Sequence, residues 1–135
     1  MKFSLIALAF VSTLATASSV EIFKSDKNTI SWVAYPETFY KTQDGYAIMV
    51  GRRSVNGAQK ETRDFMGVDF DTCKRGYGSL YVKKTVQDEW REASNVAIAN
   101  PVTNADALAG FICEVGAEVE KIINKPVDTR KKISV

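Results

Sequence analysis

Hydrophobic periodicity changes once along this chain, and that change constrains the fold more tightly than any other feature. From Val20 to Val82 apolar residues alternate with polar ones in short runs broken by Gly, Pro, Asn and Asp. Alternation of period two marks strands with one buried face. After Pro101 the spacing lengthens. Leu108, Ile112, Val115, Val119 and Ile122 form one stripe of a helix, with Glu114, Glu118 and Lys121 toward water. Strands followed by one helix define an α+β chain: an antiparallel meander sheet of about five or six strands with one C-terminal helix packed on it.

Residues 20–23, 29–35, 38–42, 46–54, 65–73 and 77–82 are the expected strands, and 96–99 is a short strand or extended segment. Pro36 and Glu37 separate the second run from the third. Gln43-Asp44-Gly45 reads as a hairpin turn in which Gly supplies positive φ. Asn56-Gly57 opens a polar loop through Asp64, and Lys74-Arg75-Gly76 makes a further turn. On the strand expected over 65–73, Met66, Val68 and Phe70 face one way and Gly67, Asp69 and Asp71 the other. Thr103 is the expected N-cap of the helix, with Asp106 as its capping-box partner, and Asn124-Lys125-Pro126 ends it.

The first residues carry an address. Met1-Lys2 is followed by an apolar run over 3–14 and by Ala15-Thr16-Ala17, the small-x-small pattern that a signal peptidase reads before Ser18. The run is shorter than the roughly 20 apolar residues of a membrane span. We therefore expect a signal peptide over 1–17 and a single exported domain over 18–135, in the periplasm or outside the cell, with no transmembrane segment. Residues 126–135, which include Arg130, Lys131 and Lys132, read as a flexible tail. Two cysteines, Cys73 and Cys113, read as one disulfide in an oxidising compartment; two buried free thiols are the alternative.

The chain of 135 residues holds no histidine. This removes imidazole-based nucleophilic systems and most zinc and copper ligand sets. A formal net charge of +2 argues against a nucleic-acid binder. Tyr77-Gly78-Ser79 lacks the Lys-Ser/Thr pair of a phosphate loop, so Gly76 and Gly78 read as turn and close-approach residues. Asp69 and Asp71, two apart, could pair as a carboxylate hydrolase site or a calcium site, or could simply be a solvated strand face. Arg52, Arg53, Lys74, Arg75 and Trp90 are the candidate partner-binding residues, with interleaved acids at Glu61, Asp64, Asp69 and Asp71 favouring a mixed, solvated surface. No catalytic residue, metal or cofactor is expected.

Trp32, Asp44-Gly45, Asp71-Thr72-Cys73, the basic and aromatic stretch over 75–81, Trp90, Pro101 and the helix over 107–113 occur in an order that resembles the surface-adhesin protein E-like family. The resemblance covers residues 32–113. It implies a small exported bacterial domain, a curved antiparallel sheet tied to a C-terminal helix by a disulfide, and binding rather than catalysis. One departure is the lack of a cysteine near the cleavage site to carry a lipid, so no lipid anchor is expected. The functional expectation is a non-catalytic, exported, adhesin-like domain with a protein partner. The alternative is a periplasmic inhibitor or immunity protein that neutralises a toxin or lytic enzyme.

Overall fold

The structure is a computed structural model that describes residues 19–25, 27–57 and 60–124. The expected signal peptide and the 126–135 tail lie outside the described residues. Strands β1 (Val20–Ser25), β2 (Ile30–Lys41), β3 (Gly45–Ser54) and β4 (Thr62–Asp69) lead into a short helix α1 (Phe70–Arg75). Strands β5 (Tyr77–Lys83) and β6 (Arg91–Ala97) and a long helix α2 (Asn104–Asn124) complete the chain. The six strands form one antiparallel sheet in chain order, the expected meander, with α2 packed on one face. Cys73 and Cys113 are joined, with Cα atoms 5.5 Å apart.

Several boundaries differ from the sequence reading, each for a local reason. Pro36 and Glu37 do not break β2; the ladder to β3 shifts register between Tyr35 and Tyr40 instead. Thr38 bridges the gap: its hydroxyl donates to Tyr35 O at 2.6 Å and accepts from the Met49 N–H at 2.8 Å. A bulge of this kind satisfies the groups that a proline leaves unpaired. The turn before β3 also works differently, because Gly45 does not adopt positive φ. It is needed for close approach, since a Cβ there would stand 2.7 Å from Asp69 Cα. Left-handed backbone is found instead at Lys27 (φ 57°) and Asn28 (φ 67°), between β1 and β2, and at Gly57 (φ 75°) and Gly76 (φ 90°).

The loop after Asn56-Gly57 ends earlier than expected, because residues 62–64 already pair with β3. The expected strand over 65–73 stops at Asp69. There the Phe70 N–H donates to Asp44 O at 2.7 Å and the chain turns into α1. Asp71 in its first turn and Lys74 and Arg75 in its last suit the helix dipole. Asp69 and Asp71 therefore share no strand face, and Cys73 meets Cys113 from a helix rather than from the sheet. At the other edge β6 begins at Arg91, and the Ile98 and Ala99 N–H groups both donate to Gly76 O.

The core lies between the sheet and α2. Tyr46, Ile48, Val50, Met66, Val68, Leu80 and Val96 face Leu108, Ala109 and Ile112. Gly116 admits the Tyr46 ring against the helix backbone. The α2 stripe is buried at its start, half-buried at Val115 and Val119, and exposed at Ile122. Thr103 and Asp106 form the expected reciprocal cap: the Asp106 N–H donates to Thr103 Oγ1 at 3.1 Å, and the Thr103 N–H to Asp106 Oδ2 at 2.9 Å.

Candidate functional site

Alternation in β2 to β5 places the remaining residues on the face away from α2. That face is not the plain solvated surface that a period of two leads one to expect. Val33, Tyr35, Ala47 and Lys83 are all buried on it. The register aligns Tyr40, Ala47, Gly67, Tyr81 and Glu92 in one row across five strands. The neighbouring row is Tyr35, Met49, Phe65 and Lys83. Ala47 and Gly67 thus make a low floor between tyrosine walls.

Trp90, at the end of the loop between β5 and β6, leans over this floor. A Cβ on Gly67 would lie 3.1 Å from the tip of its ring. The Lys83 ammonium stands 4.4 Å from the Trp90 ring centroid and donates to Val86 O at 3.2 Å. This cation–π contact fixes the loop against the sheet. Tyr40 and Phe65 pack edge to face with centroids 5.9 Å apart.

At one end of the row, Thr42, Asp44, Gly67, Asp69, Tyr81 and Trp90 line a groove of about 430 Å³. Thr42 Oγ1 accepts from the Asp44 and Gly45 N–H groups, at 3.2 and 2.7 Å, and shapes the turn that brings Asp44 beside Asp69. Asp69 is half-buried and Asp44 exposed. Burial pushes the Asp69 carboxyl above the ordinary aspartate range, and the charges of Asp44 and Asp71 push it further, against a smaller opposing effect from Arg75. Among the described residues neither Asp44 nor Asp69 has an ion pair or a side-chain hydrogen bond.

At the other end, Tyr35, Arg53, Glu61 and Arg63 form a closed cluster. Glu61 accepts from the Tyr35 hydroxyl and from Arg63 Nε at 2.9 Å, and Arg53 Nε lies 3.2 Å from its second oxygen. The Arg63 guanidinium stacks 4.5 Å above the Tyr35 ring. Burial raises the Glu61 carboxyl, but the bonds from Tyr35 and Arg63 and the charges of both arginines outweigh it and hold the group below its usual range. Burial and the Glu61 contact push the Tyr35 phenol up. Here the one carboxylate is fully engaged, and the two guanidiniums leave the cluster with net positive charge.

The candidate binding residues separate. Arg52 and Arg53 are consecutive in β3 and face opposite ways: Arg52 stacks 5.7 Å from Trp32 on the α2 side, while Arg53 joins the Glu61 cluster. Lys74 and Arg75 end α1, with Arg75 4.8 Å from the Tyr77 ring. Trp90 and Arg53 share the face away from α2, which is helix-free among the described residues. Trp32 packs against Phe23 and the core cluster. The sequence pattern gives Tyr35 and Tyr81 no site role, presents Glu61 only as one of several interleaved surface acids, and offers Asp69 as another of these or as the partner of Asp71. The signal available was Ala47, Gly51 and Gly67, small residues at strand positions nominally facing water. Among the described residues no three acidic or thiol groups converge as a metal site, and no helix is long and apolar enough to cross a membrane.

Fold and site together define a class: among the described residues, a single-sheet α+β domain with one face given to its core and the other presenting aromatic and charged side chains. No family model, curated protein or solved structure matches the chain.

Proposed function

We propose that this chain is an exported, non-catalytic binding domain that engages a protein partner through the helix-free face. The observation that carries this reading is the row Tyr40, Ala47, Gly67, Tyr81 with Trp90 above it. Half-exposed aromatic rings around a small-residue floor are the composition of recognition surfaces. The leader-like start and the disulfide support export to the periplasm or the cell surface, and the resemblance to surface-adhesin protein E-like domains supports binding.

The test has two parts. N-terminal sequencing of protein recovered from the envelope fraction is expected to begin at Ser18. The oxidised protein is then used as bait in an envelope extract beside a Tyr81→Ala/Trp90→Ala variant and an Ile122→Ala control. One stoichiometric partner retained by wild type and control and lost by the aromatic variant supports the reading. A partner held equally by all three overturns it. A captured partner that is a toxin or lytic enzyme, inhibited on binding, assigns the domain to the inhibitor class.

A further inference from the structure

The two ends of the helix-free face differ in one respect that decides their chemistry. Around Glu61 two arginines and a phenol hold the one carboxylate, so that end carries net positive charge and has no free carboxylate to receive a cation. At the groove, two carboxylates stand beside two aromatic rings with no cation paired to either. The nearby cations are committed elsewhere. Lys41 pairs with Glu120 at 3.0 Å on the α2 side. Arg75 lies over Tyr77 and donates to its carbonyl at 3.3 Å, and its charge reaches Asp69 only as an effect smaller than burial and the acidic neighbours. Lys83 is buried against the Trp90 ring and bonded to Val86 O.

We infer that the Asp44–Asp69 groove receives a lysine or arginine side chain presented by a basic segment of the partner polypeptide. The inference rests on the binding reading above and names the chemistry of the groove. A carboxylate pair supplies charge complementarity, and the Tyr81 and Trp90 rings supply faces for the alkyl stem and the cationic head. The groove, about 430 Å³, is larger than one side chain, which leaves room for flanking backbone. A metal ion fits less well, because among the described residues the carboxylates do not converge as a ligand set. The like charges of Asp44 and Asp71, which raise the Asp69 carboxyl together with burial, are relieved when a cation enters.

The experiment titrates the oxidised protein with acetyl-tetralysine-amide, followed by calorimetry and tryptophan fluorescence. Tetraglutamate, spermidine, calcium and a neutral chitin tetrasaccharide serve as separate arms. Tetralysine is expected to bind, more weakly as salt rises, and to bind at least about tenfold more weakly to Asp44→Asn/Asp69→Asn, given the strength of charge-assisted and cation–π contacts. The double Asn variant removes repulsion, so it stays folded, which thermal melting verifies. Trp90→Phe is expected to lose the fluorescence response. Equal binding to wild type and the double variant overturns the inference, as does binding of the tetrasaccharide or calcium with none of tetralysine. Spermidine alone binding through the aspartates also overturns it, since the source is then a free polyamine. Failure with tetralysine, beside an envelope partner lost by the aromatic variant, leaves the binding reading standing and removes this one. A partner indifferent to the aromatic variant removes the binding reading and this inference with it, even where tetralysine binds at the groove.

Discussion

Asp106 does more than cap a helix. Its carboxylate accepts the Ala97 N–H at the end of β6 (2.8 Å) and the N–H groups of Val102 (2.8 Å) and Thr103 (2.9 Å). These three backbone bonds outweigh its burial and hold the carboxyl down to about 2. The ionised form is therefore favoured by folding, so its contribution is present above the ordinary aspartate value and lost as pH falls through about 2. Asp106→Asn is expected to cost about 2 kcal/mol at neutral pH, the scale of charge-assisted bonds. In urea denaturation at a series of pH values, the gap from wild type should narrow between about pH 4 and 2. A constant gap would remove the carboxylate from the account.

Asp69 has the opposite sign. Burial and its acidic neighbours raise it, so its ionisation opposes folding; stability is fully present below the unfolded value and declines as pH rises through the folded one. Asp69→Asn is expected to stabilise the domain at neutral pH by at least about 0.2–0.5 kcal/mol, the scale of a like-charge side-chain pair. The gain should vanish in melts run at acidic pH. A destabilised variant would mean that Asp69 has a structural partner.

At the scale of elements, α2 contains a matched pair of glycines that predict opposite outcomes. Gly116 sits where the Tyr46 ring would overlap an added methyl, whereas a Cβ on Gly110 would meet Ile98 Cγ2 at an ordinary 3.7 Å. Alanine improves helix propensity by about 1 kcal/mol at either position, but overpacking costs about 1–3 kcal/mol. Gly110→Ala should therefore raise the midpoint of thermal unfolding and Gly116→Ala should lower it. Equal effects would show that Tyr46 moves aside freely. Element boundaries also show how far the sequence could be read. The α2 stripe, its Thr103–Asp106 cap and an antiparallel meander of about five or six strands follow from period and turn chemistry alone, whereas β6 over Arg91–Ala97 shows only as a short apolar segment at 96–99. The end of β4 at Asp69 does not, because it depends on a bond from Phe70 to the carbonyl of Asp44, far away in the chain. The continuity of β2 through Pro36 likewise depends on Thr38 finding Met49. The aromatic row is hidden from the sequence for the same reason: Tyr40, Ala47, Gly67 and Tyr81 lie on four strands and become neighbours only through register.

For the molecule as a whole, the sheet is built from consecutive hairpins, and most of its pairing is local. The helix is the exception, because α2 must return from the far edge to cover β3 and β4. Cys73–Cys113 links α1 to α2 across 40 residues and limits how far α2 strays in the unfolded chain. In the chain-entropy model such a link contributes about 3–4 kcal/mol. Cys73→Ala/Cys113→Ala is expected to lower stability by that amount in urea denaturation and to leave the folded ladder intact. Because the bond lies on the α2 side and the Asp44–Asp69 groove on the other, the variant should bind tetralysine as wild type does wherever it is folded. A loss below about 1 kcal/mol would place the constraint in core packing rather than in the sulfur link. A loss of tetralysine binding in the folded variant would show that the two faces are coupled through the sheet, and that the groove's geometry depends on how α2 is held.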